Sequence, residues 1–347
     1  MFRAAVGFLA VLLSLFPAGC GVPGEPLPPL LEIPAPVHDL VAEQVGSRVI
    51  LRFTKPQLTT EGTLIRYLDR IGIHGAFLSA GASPEAFPKQ ERLLATLPAA
   101  QIPEGTEQLV YELPLEASQR GTHALFALKV VNHREMDGGF SNLASLEIVD
   151  LPEPPAGLEA TLTEPAIQLR WTAAERSVFG STAPTPEGYE VYRAEAGSSN
   201  PAQLRATVAT TAFEDREFAF GSRYIYAVRA FAQRGESRAR TPESNRVEIA
   251  AVDRFPPAAP QDLRAVAIPG AVELAWSPNS ELDLAGYNLY RRAGGGEFTR
   301  LNAELLPLPL FRDTAVLAGT DYRYMVKAVD RAGNEGDASG QAAATAE

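Results

Sequence analysis

The stretch VELAWSPNSELDLAGYNLYRR, residues 272–292, decides the fold. Val272, Leu274 and Trp276 alternate along one face of a first strand, and a polar, acidic loop follows. A second strand then opens with Tyr287 on its inward face. Alternating apolar residues on two strands joined by a polar loop predict one aromatic-anchored strand pair of an antiparallel sandwich.

The same pattern occurs twice earlier in the chain. In each copy a leucine stands thirteen residues before an aromatic anchor, as Leu40 and Phe53, Leu158 and Trp171, and Leu263 and Trp276. Prolines precede every copy. The anchors lie 118 and then 105 residues apart (171 − 53 and 276 − 171), which is a domain-sized period.

The downstream halves of the second and third copies also match. GYEVYR at 188–193 corresponds to GYNLYR at 286–291, and GSRYIYAV at 221–228 corresponds to GTDYRYMV at 319–326. Period-two alternation places the tyrosines of the later motif on one face of a strand. These motifs predict equivalent third and sixth strands in the two copies.

Together these residues resemble fibronectin type III domains. The resemblance implies an all-β chain of tandem immunoglobulin-like antiparallel sandwiches. It makes Trp171 and Trp276 the aromatic anchors of two cores. It also makes Tyr224 and Tyr322 corner tyrosines, whose hydroxyls bond back to the backbone.

The first copy departs from the pattern. Phe53 replaces tryptophan, and Ala124 stands where the corner tyrosine belongs. The strands at 70–77 and 108–115 fit the third and fifth strands, leaving an insert near residues 79–105. We expect a divergent fibronectin-like sandwich here, with another immunoglobulin-like sandwich as the alternative.

The repeats and linkers predict five segments, of which the three sandwiches are joined end to end into a rod anchored at Cys20. Short proline-rich joints limit bending between the sandwiches. The segments are a lipoprotein signal peptide (1–19), a lipidated, proline-rich tether (20–35), a divergent sandwich (36–150) and two fibronectin type III domains (151–252 and 253–347).

The amino terminus predicts export and a lipid anchor. Arg3 precedes an apolar run that is too short for a comfortable membrane span. The sequence Pro17-Ala18-Gly19-Cys20 resembles the lipobox of bacterial lipoproteins, which implies a diacylglyceryl group and a further acyl chain, such as palmitate, on Cys20. Cys20 is the only cysteine, so the chain has no internal disulfide. The alternative is an incidental cysteine in a signal peptide that is cut further downstream.

The same resemblance indicates the cell envelope as the location. Gly21 follows Cys20, where an aspartate would retain an enterobacterial lipoprotein in the inner membrane, so the outer membrane is favoured. A net charge of −11 without a basic run argues against a nucleic-acid partner.

Catalytic motifs are absent from the sequence. There is no nucleophile elbow, no phosphate-binding glycine loop and no second cysteine. A metal site formed by His123, His133 and Asp137 is conceivable, but solvated or structural roles explain these residues more simply. Arg234-Gly235-Glu236 has glutamate where an adhesive tripeptide has aspartate, and we interpret it as a turn. We therefore predict a non-enzymatic protein without a cofactor.

One cluster allows a calcium hypothesis. In this fold the second–third and sixth–seventh loops lie at the pole that carries the amino terminus of the domain. Oxygen ligands gathered at this domain joint could bind Ca²⁺, although ordinary solvated loops are the alternative. The residues concerned are Asp253, Glu281, Asp283, Asp330 and Asn334.

Three functions remain open. The first is a lipid-anchored binding or spacer module that acts through protein–protein interaction. The second is a carbohydrate- or surface-adhesion lipoprotein, which requires an exposed aromatic patch. The third is an accessory subunit of an envelope enzyme or secretion complex. Fold alone does not choose among them.

Overall fold

The computed structural model describes residues 32–235 and 237–347. Three separate hydrophobic cores follow one another along this part of the chain, around Phe53, Trp171 and Trp276. Each core lies between two antiparallel layers of strands. The all-β, tandem-sandwich prediction is confirmed.

The first sandwich contains eight strands. They are β1 (Val41–Val45), β2 (Arg48–Thr54), β3 (Leu68–Leu78), β4 (Arg92–Pro98), β5 (Gln108–Pro114), β6 (His123–Asn132), β7 (Asp137–Phe140) and β8 (Ala144–Glu147). Strands β1, β2 and β5 form one layer, and β4-β3-β6 with the divided last strand β7/β8 form the other.

The second and third sandwiches repeat this order. The second has β9 (Ala156–Leu162), β10 (Ile167–Thr172), β11 (Gly188–Glu195), β12 (Gln203–Val208), β13 (Ala212–Asp215), β14 (Arg223–Arg234), β15 (Ser237–Arg240) and β16 (Val247–Ala250). The third has β17 (Gln261–Ile268), β18 (Ala271–Ser277), β19 (Leu284–Ala293), β20 (Thr299–Arg300), β21 (Leu310–Asp313), β22 (Asp321–Asp330), β23 (Glu335–Ala338) and β24 (Ala342–Thr345).

The insert of the first sandwich forms a cover over its larger layer. It contains a 3-10 turn at Pro84–Ala86, the short helix α1 (Phe87–Gln90), strand β4 and a second 3-10 turn at Ala99–Gln101. Phe87 is 2% exposed and packs in a small second cluster with Leu125 and Ala127. Strand β6 is therefore buried on both faces over much of its length, which a simple alternating pattern does not predict.

The first two sandwiches also share a sheet. Strand β1 pairs in parallel with β15 at Val45 and Arg240, which joins a layer of each sandwich into one eight-stranded sheet. The sequence predicted end-to-end joints and did not anticipate this lateral pairing. No helix in the described part of the chain has the length and apolar character needed to cross a membrane.

Candidate functional site

The sequence-predicted anchors lie in the cores. Trp171 contacts Tyr189 edge to face at 5.4 Å, and Trp276 contacts Tyr287 in the same way at 5.2 Å between ring centroids. In the first sandwich Phe53 is 1% exposed and takes the equivalent core position. These residues hold the two layers of each sandwich together and present no reactive group to solvent.

The corner tyrosines bond to the backbone five residues upstream. The Tyr224 hydroxyl accepts from Ala219 N at 3.0 Å, and the Tyr322 hydroxyl accepts from Leu317 N at 3.1 Å. Ala124, at the equivalent position of the first sandwich, is fully buried and offers no such bond.

The second and third sandwiches each contain a buried carboxylate that the sequence did not predict. Asp215 is 0% exposed and accepts from Tyr226 Oη at 2.9 Å and from Arg193 Nη1 at 2.7 Å. In the third sandwich Asp313 accepts from Tyr324 and Arg291 in the same manner. The signal was present in the sequence as Phe-x-Asp at 213–215 and at 311–313.

Charge pairing fixes the ionisation of this cluster. Burial alone would raise the pKa of Asp215, but hydrogen bonds from Arg205 and Tyr226 and the charge of Arg193 hold it below its ordinary value. Burial and the neighbouring carboxylate together raise the pKa of Tyr226. The cluster is a closed structural network, because every charge in it has a partner within the sandwich.

Another buried carboxylate, Glu190, lies beside the junction of the first two sandwiches. It is 1% exposed and accepts from Tyr192 Oη at 2.8 Å, Arg238 Nη1 at 2.8 Å and Arg240 Nε at 2.7 Å. Burial alone would raise the pKa of Glu190, but these hydrogen bonds lower it. Arg240 also donates to Glu43 of the first sandwich, so the network crosses the junction.

The residues of the calcium hypothesis come partly together. Carboxylate oxygens of Asp253, Asp283 and Asp330 lie within 4.8 Å of one another. Asn334 donates from its side chain to Asp330 at 2.8 Å and to the Asp253 carbonyl at 3.4 Å. Glu281 instead accepts from Ala258 N at 2.7 Å. The cluster thus supplies three oxygen ligands at the joint between the second and third sandwiches.

The histidines do not form a shared site. His123 bonds to Glu147 at 2.8 Å, whereas the His133 ring contacts Tyr67. His123 is the first residue of the ten-residue strand β6, and His133 follows its last residue, so the two backbone positions are about 30 Å apart. Asp137 accepts instead from Gly139 N at 2.9 Å.

Several predicted features lie outside the described residues. These are the signal peptide (1–19), Cys20 with the tether as far as residue 31, and Glu236, the last residue of the Arg-Gly-Glu tripeptide. Arg234 itself bonds to Glu187 at 2.7 Å.

Large exposed aromatic side chains are few. Within residues 32–235 and 237–347, Tyr67 and Phe220 are the ones that are well exposed, and they belong to different sandwiches. Tyr192 and Tyr290, which lie on outer faces, are partly buried, and each donates its hydroxyl to a carboxylate. The described surface therefore carries no aromatic row of the kind that stacks on a sugar chain.

Comparison with known proteins gives a partial match. No protein-family model matches the chain. Exoglucanase B of Cellulomonas fimi is 32% identical over 197 residues, which cover 53% of this chain and 16% of that protein. Because the match spans so little of exoglucanase B, its activity does not transfer to this chain.

A solved structure gives a weaker likeness. The crystal structure of the FN1–FN3 domains of chicken CNTN1 is 15% identical and covers 90% of this chain and 100% of that one, with a TM-score of 0.27. A score this low says nothing about how the domains are arranged. The class of the protein therefore rests on its own strands, which form tandem antiparallel β-sandwiches.

Proposed function

We propose that the chain is a lipid-anchored cell-envelope protein whose sandwiches act as a non-enzymatic binding or spacer module for another envelope protein. The observation that carries the proposal is the series of three sandwiches, each with its own core. Cys20, the predicted lipid site, lies twelve residues before Glu32, the first described residue. An extended segment of that length reaches about 40 Å at most, so the first sandwich stays near the membrane.

The envelope location is part of the proposal. An acyl-modified Cys20 would hold the protein to a bilayer, with the outer membrane favoured over the inner, and the sandwiches would face the periplasm or the exterior. The partner would be a protein, as in an accessory subunit of an envelope enzyme or secretion complex.

Affinity capture tests the binding role. The lipidated chain, crosslinked in its own membranes and captured through a carboxyl-terminal tag, should retain a defined envelope protein. A matched chain that ends after Val252 lacks the third sandwich and shows whether that sandwich carries the contact. Capture of no protein above an untagged control would contradict a binding role and leave a pure spacer.

Carbohydrate adhesion is the second candidate. The match to exoglucanase B favours it, because the name of that relative indicates action on glucans. The scattered exposed aromatic residues argue against it. Retention on insoluble glucan or on a glycan array would support adhesion. Failure to bind both of them would favour a protein as the partner. Reproducible glucan hydrolysis by the purified chain would overturn the non-enzymatic assignment.

A further inference from the structure

The junction of the first two sandwiches is held by buried contacts. Gln44, 2% exposed, donates to the Val149 carbonyl at 2.8 Å and accepts from Val149 N at 3.0 Å. Gly46 N donates to Arg240 O at 2.8 Å, extending the shared sheet. Both backbone groups of Val149 in the linker are therefore bonded to the first sandwich, and the second sandwich is hydrogen-bonded to the same strand end.

Apolar packing adds to these bonds. Leu151 of the linker is fully buried against Ala232 and Ala239 of the second sandwich, and Val149 packs on the same cluster. Phe179, in the second–third strand loop of the second sandwich, packs against the core of the first. Moving one sandwich relative to the other would expose this surface to water.

The junction of the second and third sandwiches is built differently. Ala251 belongs to the second sandwich, because it is 0% exposed and exchanges backbone bonds with Gly221 and Ser222. Asp253 and Ala258 belong to the third, because they are bonded to Asn334 and Glu281. Val252, 45% exposed, lies between these two attachments.

Direct contacts between the two bodies are weak at this junction. In the described part of the chain, no hydrogen bond or ion pair joins strands β9–β16 to strands β17–β24. The nearest aromatic contact is a tilted one between Phe220 and Phe255 of the linker, 6.2 Å between centroids. Three carboxylates of like charge lie beside the same linker.

The internal repeat explains the difference residue by residue. At the second junction, each side chain that joins the first two sandwiches has a counterpart that cannot form the same bond. Gln44 corresponds to Leu162, Glu43 to Thr161 and Glu190 to Asn288. Arg240 corresponds to Glu335, because Arg240 pairs with Phe231 and Glu335 pairs with the equivalent Val329. Leucine offers no side-chain hydrogen bond, threonine and asparagine carry no charge, and Glu335 carries the charge opposite to that of Arg240.

We propose that the first two sandwiches move as one rigid body and that the third swivels on Val252. This division goes beyond the proposed function and does not depend on lipid anchoring. It means that a spacer tethered near Cys20 would have a stiff membrane-proximal half and an orientable distal domain. Such a domain can search for a partner while its distance from the membrane stays limited.

Spin-label distance distributions test the proposal on the full mature chain with Cys20→Ser, which contains no other cysteine. Labels go on Val110, Leu204 and Leu310, which lie on strands and are 58%, 51% and 57% exposed. A pair of labels at Glu159 and Leu204, both within the second sandwich, gives the reference width of the distance distribution. We expect the 110/204 width to equal the reference and the 204/310 width to be at least twofold larger. Equal widths for all three pairs would overturn the proposal.

A second variant tests whether the side chains of Glu43 and Gln44 hold the first junction. The double substitution Glu43→Thr and Gln44→Leu installs the residues of the second junction at the first. We expect the 110/204 distribution to broaden at least twofold while the 159/204 pair stays narrow, which shows that the second sandwich remains folded. An unchanged 110/204 width would show that these residues do not hold the junction and would overturn that part of the proposal.

Discussion

Arg240 of the second sandwich donates through Nη1 to Glu43 Oε1 of the first over 2.6 Å. Its Nε donates to the buried Glu190 over 2.7 Å, so one guanidinium joins a carboxylate of each sandwich. A buried carboxylate is tolerated only when it is paired and hydrogen-bonded. The junction therefore depends on Glu190 staying ionised.

Acid should weaken this junction. The pKa of Glu190 is lowered in the folded chain from an ordinary value of 4.5, so its stabilising contribution is complete above that pH and is lost as the pH falls through the lower, folded-state pKa. Glu190→Gln should cost about 3 kcal/mol at pH 7 and less below pH 4. Denaturant unfolding across this pH range measures both values. Glu164→Gln, at an exposed position, is the control, and an equal loss in both variants would contradict the assignment.

The corner tyrosine should contribute about as much as one hydrogen bond. Tyr322→Phe removes the acceptor of Leu317 N while keeping the buried ring, so we expect about 1 kcal/mol lower stability of the third sandwich. Thermal unfolding compares it with Tyr67→Phe, whose side chain is 60% exposed. A Tyr322→Phe chain as stable as the unmodified protein would show that the bond contributes nothing.

Close packing of the linker on the third sandwich requires a glycine. A Cβ on Gly336 would lie 2.2 Å from the Pro257 carbonyl oxygen, a backbone atom that cannot move without shifting the linker. Gly336→Ala should therefore destabilise the third sandwich by about 1–3 kcal/mol. Gly295→Ala has open space around its Cβ and should change stability little. Equal effects of the two substitutions would mean that the linker is not seated as described.

The sequence predicted the sandwiches because their information is local. Alternation and a fixed spacing from leucine to aromatic anchor locate Trp171 and Trp276 without knowledge of other parts of the chain. The pairing of β1 with β15 and the cover formed by Phe87 join residues far apart in sequence, and neither leaves a periodic pattern. Asp215 was missed for another reason, since an acidic residue on a strand usually indicates a solvent-facing position.

Calcium remains a prediction at the joint between the second and third sandwiches. An ion shared by Asp253, Asp283 and Asp330 would offset the repulsion among three carboxylates within 4.8 Å of one another. Binding predicts a higher melting temperature in calcium than in chelator, and Asp283→Asn should remove the difference. Identical midpoints in the two conditions would assign the cluster to ordinary solvated loops.

Fractionation of cells that produce the Cys20→Ser chain tests whether Cys20 attaches the protein to the membrane. We expect that the unmodified protein sediments with membranes and resists high salt, whereas the Cys20→Ser chain is recovered in the soluble fraction after export. A processed Cys20→Ser chain that stayed with the membranes would contradict this attachment.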